Sequence, residues 1–424
     1  MLPEKTQYSQ QALAYSYFKE SNDYLMKNYT FRVAENYPTY GIRYLNYFEQ
    51  KNTLLISNVS NSRVHLINLK TGQLDSYAHH QTTVRKILTY KNDIITASWD
   101  GTVRVTDFDS LRQRLLLTDQ SMGRCPFINI SPDGKYLYSF TYDSDVIPFG
   151  TANTVRKFCL KTGKVLFRVA ASSYNKNERR SGSIIHWKNK LYVCSDNGYF
   201  RIFDLRTGRF IREIIRPFDY RTMSSLFHYH YLLASDWDGR IHFFNLKTNQ
   251  FDYAVQAHNN DILSIRVHPN NPSILFTSGN DGMIRVWEMP KFRLLNTIFV
   301  NQRDLWSFVF INDRIVVGNI AGEIRVYKIS NFYNLSYIGR IVLSDHSFVA
   351  QTTGSKLFFT NNLESLEVSP VNDDTALSSR EKEYLLNQNN NLMVLRELFG
   401  FEEDNNGYLK GQHNLVPLLA SSFK

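Results

Sequence analysis

The sequence predicts an all-β fold built from repeated four-stranded sheets. The 424 residues contain 26 Tyr and 29 Phe but only 11 Pro, and aromatic side chains favour strands. A motif of one tight turn followed by one alternating strand recurs along the chain. Asp-Gly or Asn-Gly occupies several of these turns. This dipeptide is the strongest short-range signal of a β-hairpin, because both central residues of the turn need a positive φ.

The motif repeats with a period of about forty residues. Its clear copies lie at 99–107 (WDGTVRVTD), 196–204, 237–245, 280–288 and 321–328, and a weaker copy lies at 61–68. The turn positions are Asn61, Asp100, Asn153, Asn197, Asp238, Asp281, Ala321 and Leu363. One interval is longer because residues 143–152 are inserted between the second and third strands of that copy. A period of roughly 40–45 residues is typical of the four-stranded blades of a β-propeller.

Counting the turns predicts eight blades, with seven as the alternative if the last copy packs differently. The last copy, at 348–369, supplies only three strands, and residues 29–34 (YTFRVA) can complete it and close the ring. The predicted organisation is an N-terminal helical extension (1–28), a propeller (29–371) and a helical or irregular tail (372–424). Short amphipathic helices are predicted at 8–27 and at 378–400, the second of which ends at Gly400.

Residues 257–288 carry the clearest family pattern. AHNNDILSIRVHP (257–269) and ILFTSGNDGMIRVWE (274–288) resemble the Gly-His, Asp-turn and Trp-Asp pattern of the WD40 repeat family, with Ala for Gly and Glu for Asp. The resemblance covers roughly residues 29–371. It implies a β-propeller that binds other proteins and has no enzymatic activity.

Four polar residues of this copy have two interpretations: His258, Ser278, Asp281 and Trp287. A His, a Ser and an Asp are the residue types of a hydrolase triad. The resemblance to WD40 proteins implies instead a structural tetrad, in which Asp281 accepts hydrogen bonds from His258 and from backbone, and Ser278 makes the link to the indole of Trp287. We favour the tetrad, because buried polar groups need such partners.

The basic residues and two turn tryptophans predict a binding face. Lys and Arg number 49 against 39 Asp and Glu, a net charge of +10. In an antiparallel blade, the loop between strands two and three emerges on the same side as the loop to the next blade. This rule groups the candidate residues Trp99, Arg179, Arg180, Arg221 and Trp237. Arg binds carboxylate or phosphate through a fork, and exposed Trp is an apolar anchor, so an acidic or phosphorylated protein segment is the expected ligand. The alternative is a solvated face neutralised by nearby carboxylates.

Other site classes lack support in the sequence. There is no Gly-rich phosphate loop, and His79-His80 and His228-x-His230 have no carboxylate or thiol beside them at a metal-binding spacing. Three cysteines are too few and too scattered for a disulfide framework: Cys125, Cys159 and Cys194. No stretch reaches the roughly 18 apolar residues of a membrane span. We therefore expect no catalytic residue, cofactor or metal, and a location in the cytoplasm, the nucleus or both.

The resulting functional prediction is a non-enzymatic WD40 scaffold within an intracellular multi-subunit complex. One specific version is a substrate receptor of a ubiquitin ligase. The alternative is a nucleic-acid-associated subunit in ribosome assembly or RNA processing, which the positive charge permits. The absence of long Lys runs makes it the second choice.

Overall fold

The fold was analysed in a computed structural model. The structure describes residues 29–33, 41–119, 121–143, 153–171, 182–195, 199–215, 222–300, 304–344, 346–353, 358–361, 366–370 and 393–401. The predicted N-terminal helix at 8–27 lies outside these residues, as do Arg179, Arg180 and Arg221 of the predicted binding face.

Seven antiparallel sheets form the blades of a closed ring, and the first six blades have four strands each. Blade one contains β2 (Ile42–Phe48), β3 (Thr53–Asn58), β4 (Val64–Asn68) and β5 (Leu74–Tyr77). Blade two contains β6 (Val84–Tyr90), β7 (Asp93–Ser98), β8 (Val103–Asp107) and β9 (Gln113–Leu117). Blade three contains β10 (Arg124–Ile130), β11 (Tyr136–Tyr142), β12 (Thr154–Cys159) and β13 (Val165–Ala170). Blade four contains β14 (Gly182–Trp187), β15 (Lys190–Ser195), β16 (Tyr199–Asp204) and β17 (Phe210–Ile215). Blade five contains β18 (Ser225–His228), β19 (Tyr231–Ser235), β20 (Arg240–Asn245) and β21 (Gln250–Gln256). Blade six contains β22 (Ile262–His268), β23 (Asn271–Gly279), β24 (Met283–Glu288) and β25 (Arg293–Phe299).

Blade seven has six strands, and the two remaining strands pair with each other. The blade contains β26 (Ser307–Ile311), β27 (Arg314–Gly318), β28 (Glu323–Asn331), β29 (Asn334–Leu343), β30 (Phe348–Thr352) and β31 (Phe358–Thr360). The separate pair is β1 (Tyr29–Val33) and β32 (Leu366–Pro370), with Tyr29 opposite Pro370 and Val33 opposite Leu366.

The predicted eighth blade is wrong. The backbone N–H of Ser344 donates to the carbonyl of Ser347 at 2.9 Å, and this tight turn reverses the chain, so β30 pairs with β29 and the blade-seven sheet continues outwards. Strands β30 and β31 therefore extend an existing blade instead of forming a new one. Residues 29–33 do pair with the end of this segment, through β1 and β32, but in a separate two-stranded sheet.

The ring closes between blades one and seven. The backbone N–H of Ile42 donates to the carbonyl of Asn319 at 2.8 Å, and the N–H of Leu45 donates to Oγ of Ser307 at 3.1 Å. Apolar side chains of both blades also share one buried cluster. Neighbouring inner strands are thereby held in a fixed relative position at this junction.

Serine side chains join other neighbouring blades. Oγ of Ser57 donates to the carbonyl of Val84 at 3.0 Å, and Oγ of Ser235 donates to the carbonyl of Ile262 at 3.1 Å. Each donor ends the second strand of its blade, and each acceptor begins the first strand of the next blade. These bonds satisfy buried polar groups and fix the starts of the inner strands, where the candidate site lies.

The described residues contain one α-helix, α1 (Met393–Phe399). The predicted helix at 378–400 is therefore observed only over its last part, and the residues before it lie outside the described ranges. α1 packs into the core shared by blades one and seven through Val394, Leu395, Leu398 and Phe399. It ends before Gly400, whose φ of 67° is favourable for glycine, and Nδ2 of Asn312 donates to the carbonyl of Phe399 at 2.8 Å. No helix in the described part of the chain is long and apolar enough to cross a membrane.

Candidate functional site

The first strands of the seven blades surround a central channel and have an unusual charge composition. These strands are β2, β6, β10, β14, β18, β22 and β26, and each packs beside the first strand of the next blade. They contain no Asp or Glu, although the whole chain has 39. Their Lys and Arg residues are Arg43, Arg85, Lys86, Arg124 and Arg266. The channel wall is therefore a positively charged surface in a protein whose total charge is more balanced.

Arg43 and Arg85 occupy equivalent irregular positions in blades one and two. The pairing register of β2 with β3 shifts between Ile42 and Tyr44, and that of β6 with β7 shifts between Val84 and Lys86. Each arginine is thus the extra residue of a β-bulge, a feature that changes the direction of a side chain relative to a regular strand. Both lie where the inner strands begin, at the end of the channel that we call the channel mouth.

Three arginines and two tryptophans form a continuous set at the channel mouth. Cζ of Arg43 lies 3.4 Å from the ring centre of Trp306, and Cζ of Arg85 lies 5.7 Å from the same ring. Arg85 and Arg124 lie 4.4 Å and 5.2 Å from the ring centre of Trp99. We call these five residues the Arg–Trp cluster. Since Trp306 belongs to blade seven and Arg124 to blade three, the cluster joins four consecutive blades.

Arg43 and Arg85 have little negative charge around them within the described part of the chain. Arg43 is 7% exposed, and its buried Nη1 has no hydrogen-bond partner among the described residues. Burial lowers the pKa of Arg85 to about 10, and Tyr142 acts weakly in the opposite direction, so the guanidinium stays charged at pH 7. Neither arginine forms an ion pair with a carboxylate within the described ranges. The indole faces supply only cation–π attraction, of about 0.5–2 kcal/mol each, which leaves an unneutralised site for an anion.

A second group of cations lies further along the inner strands. Nζ of Lys86 lies 4.7 Å from the ring centre of Tyr44, and Nη2 of Arg266 lies 3.5 Å from Oη of the same tyrosine. Burial acts to raise the pKa of Tyr44, but Lys86 and Arg266 outweigh it, and the pKa is lower than usual. We call Lys86 and Arg266 the inner basic pair. Blade seven separates the blades that carry Arg266 and Tyr44, so their contact is made across the channel.

The structure places the two tryptophans of the predicted binding face, whose three arginines lie outside the described residues. Trp99 belongs to the Arg–Trp cluster and is 36% exposed. Trp237 lies in the corresponding turn of blade five, three blades away around the ring, and is half-buried. Sequence reasoning missed Arg43, Arg85, Arg124 and Trp306. The signal was the pairing of an apolar residue with Arg at the start of two inner strands, IRYL at 42–45 and VRKI at 84–87.

The polar network of blade six contains three of the four predicted residues. Nδ1 of His258 lies 2.9 Å from Oδ1 of Asp281, and Nε2 of His258 lies 2.7 Å from Oγ1 of Thr277. Nε1 of Trp287 donates to the same Thr277 oxygen at 2.9 Å. Ser278 is not the link: its side chain donates to the carbonyl of Leu305 in the next blade at 2.9 Å. Adjacent residues of a strand face opposite sides of the sheet, which is why Thr277 and not Ser278 meets the histidine.

The electrostatics of this network fit a structural role. Burial lowers the pKa of His258 more strongly than Asp281 raises it, so the imidazole is neutral at pH 7. Burial acts to raise the pKa of Asp281, but His258 and Arg285 outweigh it and keep the carboxylate charged. Ser278, the serine of the candidate triad, donates to the carbonyl of Leu305 in the next blade and not to His258, so it is not placed as the nucleophile of a triad.

Blade two contains a related network that the sequence analysis did not identify. Nδ1 of His80 lies 3.0 Å from Oδ2 of Asp100, and Nε2 of His80 lies 2.8 Å from Oγ1 of Thr96. His79, considered above with His80 as a metal pair, bonds instead to the carbonyl of Leu111 at 3.0 Å. Within the described ranges, no group of three or more His, Cys, Asp or Glu side chains could hold a metal ion.

Comparison with known proteins agrees with this geometry. The family model described as "WD domain, G-beta repeat" matches residues 249–288, which span the blade-six network and the outer strand before it. Residues 249–288 are thus a WD40 repeat, in a chain that folds as a seven-bladed β-propeller. The repeat contains the His–Thr–Asp–Trp network of blade six.

The curated relatives of this chain are distant. Pre-mRNA-processing factor 17 from Homo sapiens is 21% identical over 243 residues, which cover 57% of this chain and 34% of the relative. WD repeat-containing protein ATCSA-1 from Arabidopsis thaliana is 24% identical over 196 residues, 44% of each chain. Histone acetyltransferase type B subunit 2 from Candida glabrata is 28% identical over 98 residues, 22% of this chain and 23% of the relative. Each match spans less than half of the relative's length.

A solved structure shows the same type of fold. The crystal structure of the computationally designed Ika8 protein superposes with a TM-score of 0.55 and 16% sequence identity, over 76% of this chain and 96% of that chain. This similarity concerns the fold alone.

Proposed function

We propose that this protein is a non-enzymatic WD40 scaffold that binds an acidic or phosphorylated segment of a protein partner at the channel mouth. The observation that carries the proposal is the Arg–Trp cluster, in which cations and indoles alternate across four blades. Among the described residues, Arg43 and Arg85 have no carboxylate partner. The originally predicted basic residues Arg179, Arg180 and Arg221, together with Trp237, extend the proposed surface.

The chemistry of the cluster suits a short charged segment. A guanidinium offers a planar fork of donors that matches a carboxylate or a phosphate, and an indole beside it contributes apolar contact area. Arg and Trp are the side chains that most often dominate protein interfaces. The indole of Trp99 is partly exposed, so a partner can cover it on binding.

The cellular role of the scaffold has two candidate forms. We place it in a multi-subunit complex, either as a substrate receptor of a ubiquitin ligase or as a subunit associated with RNA processing. The second form gains support from the similarity to pre-mRNA-processing factor 17, and it would locate the protein in the nucleus. The net charge of +10 is compatible with a complex that contains RNA.

The proposal is tested by affinity purification of the full chain from cell extract with quantitative mass spectrometry. Arg85→Glu and Trp99→Ala are compared with Arg209→Glu, which changes an exposed residue on a blade-four turn by the same charge. Loss of an anchor should weaken partner binding by about 2 kcal/mol, roughly thirtyfold. Both cluster variants should lose partners that Arg209→Glu retains. An identical set of partners for all the proteins would refute the role of the channel mouth.

Two further arms separate the candidate roles. The triple variant Arg179→Glu, Arg180→Glu and Arg221→Glu tests whether the loops outside the described residues belong to the same surface. Ribonuclease treatment before purification should remove the partners if the complex is held by RNA, and should leave them in place if the protein segment is the ligand. Co-purification of a ubiquitin-ligase scaffold would select the first role.

A further inference from the structure

The inner basic pair points to a second ligand inside the ring. We infer that the central channel binds a phosphate-bearing anion between Arg43 at the mouth and the inner basic pair, Lys86 and Arg266, further along the inner strands. This inference goes beyond the proposed function, because it places an anion site inside the channel and not only at its mouth.

The three cations come from blades that surround one part of the channel. Arg43 lies on blade one, Lys86 on blade two and Arg266 on blade six. Tyr44, which directly follows Arg43, lies close to both members of the inner basic pair, at 4.7 Å from its ring centre to Nζ of Lys86 and 3.5 Å from its oxygen to Arg266. Side chains from three blades therefore converge on the channel, and Tyr44, Lys86 and Arg266 are only half-buried and remain reachable from it.

Several donors of this group are buried and unused. Nη1 of Arg43 and Nε of Arg266 have no hydrogen-bond partner among the described residues, and the contact of Arg266 with Tyr44 is long for a hydrogen bond. Within the same ranges, no carboxylate pairs with Arg43, Lys86 or Arg266. Like charges held together without counter-charge destabilise a fold, and a bound anion removes this cost.

Phosphate chemistry fits this set of donors better than a single carboxylate does. Lys86 and Arg266 both contact Tyr44, and Arg43 directly precedes Tyr44 in the chain, whereas a carboxylate carries only one negative charge. A phosphate monoester carries about −1.5 to −2 charges and three strong acceptor oxygens. Its oxygens can accept from two guanidiniums and one ammonium at the same time. The source is either a free polyphosphate-type anion or a phosphorylated side chain inserted from a bound segment.

The first experiment is isothermal titration of the purified full chain with inorganic tripolyphosphate. Lys86→Gln and Arg266→Gln should each weaken binding at least about tenfold, because each removes a charge-assisted hydrogen bond. Lys70→Gln is the matched control, since Lys70 lies on an exposed blade-one turn with no side-chain ion pair. Binding that is absent in the wild type, or equal in the wild type and both channel variants, would overturn the inference.

A second measurement needs no variant and covers the case in which a channel variant does not fold. Tripolyphosphate should raise the melting temperature of the wild type in a saturable manner, because a ligand that binds only the native state stabilises it. Sodium chloride at the same ionic strength should not. Equal effects of the two salts would overturn the inference.

The two sources of phosphate are separated by a third arm. A phosphoserine peptide and its unphosphorylated form are titrated in parallel with tripolyphosphate. Tighter binding of tripolyphosphate assigns a free polyphosphate, and tighter binding of the phosphopeptide assigns a phosphorylated segment; both support the channel site. If the channel variants bind tripolyphosphate as the wild type does while Trp99→Ala still loses protein partners, the inference fails and the proposed function stands.

Discussion

Two regions of the molecule contain buried arginines, and they differ in what lies next to the positive charge: carboxylates in blade three and indole rings at the channel mouth. In blade three, Arg156 is fully buried, and every nitrogen of its guanidinium has a hydrogen-bond partner. Nη2 lies 2.7 Å from Oδ2 of Asp143, and Nε lies 2.9 Å from Oδ2 of Asp119. The hydroxyl oxygens of Thr141 and Ser121 accept further hydrogen bonds from it. At the channel mouth, Arg43 is nearly as buried but rests on an indole, and one of its nitrogens has no hydrogen-bond partner in the described part of the chain.

The difference separates a structural arginine from one that is available to a ligand. Burial acts to lower the pKa of Arg156, but Asp143 and Asp119 outweigh it, and the pKa is raised. For Arg85 at the mouth, burial prevails and the pKa is lowered to about 10. The carboxylates around Arg156 already neutralise its charge, so it is not available to an external anion. Arg43 and Arg85 have no such carboxylate partner among the described residues, so their charge is available to an anion.

The largest expected effect is loss of the blade-three ion pair. Arg156→Met removes the nearer charged partner of Asp143, which is itself fully buried, and leaves only Arg168 at 3.4 Å, so it should lower the free energy of unfolding by about 3–5 kcal/mol. Urea denaturation followed by circular dichroism measures this change. Arg114→Met is the control, because Arg114 pairs with Asp93 at the surface, where an ion pair contributes at most about 1 kcal/mol. A similar small loss for Arg156→Met would remove the contrast between the two regions.

The blade-six network provides the next largest effect and tests which residue links it. Thr277→Val removes the oxygen that bonds both His258 and Trp287, and should cost about 1–3 kcal/mol, as should Asp281→Ala. Ser278→Ala removes only one bond to a backbone carbonyl and should cost about 1 kcal/mol. Thermal unfolding of the three variants gives the order. A greater loss for Ser278→Ala than for Thr277→Val would restore the originally predicted tetrad.

The opposite ends of the inner strands carry histidines instead of charged arginines, and they predict a pH dependence. Burial lowers the pKa values of His186, His228 and His268, and each has a buried ring nitrogen without a hydrogen-bond partner among the described residues. Their unfolded pKa is about 6.5, so the unfolded chain binds more protons below that value. Stability is therefore complete above about pH 6.5 and decreases as the pH falls below it.

Melting temperatures at two pH values on either side of 6.5 measure this loss. His268→Phe should reduce it, because a phenyl ring suits the aromatic surroundings of Phe310 and Phe332, each with a ring centre 5.2 Å away, and cannot be protonated. His80 and His258 have lowered pKa values for the same main reason and contribute in the same direction. A melting temperature that is independent of pH in this range would contradict the assignment of neutral buried histidines.

Local sequence patterns predicted the strands and turns of individual blades better than they predicted the number of blades. The turn at Asp281-Gly282 could be predicted because a positive φ is needed there, and Gly282 has a φ of 76°. The eighth blade was wrong because residues 348–369 have the alternation of blade strands, while the turn at Ser344–Ser347 decides which sheet they join. That decision depends on packing in three dimensions and not on periodicity.

The candidate site was harder to predict than the fold. Trp99 could be placed by its turn, but Arg43 and Arg85 sit at β-bulges, and alternation assigns no direction to the extra residue of a bulge. Trp306 meets both arginines only because the ring closes and brings blade seven beside blade one. In blade six, the choice between Thr277 and Ser278 depended on which side of the strand faces His258.

The smallest expected effect is the most direct comparison of the two arginines. Arg43→Met removes one cation–π contact, of about 0.5–2 kcal/mol, and also removes a buried charge that has no carboxylate partner in the part of the chain that the structure describes. The first change lowers the free energy of unfolding and the second raises it, and the unbranched methionine can still pack on Trp306. The free energy of unfolding should therefore change by less than about 1 kcal/mol. Arg156→Met, the same substitution in blade three, should cost several times more. Urea denaturation of both variants under identical conditions, without added phosphate, gives the two values. If Arg43→Met were as destabilising as Arg156→Met, Arg43 would have to be a structural residue of the fold, and its charge would not be free for a ligand.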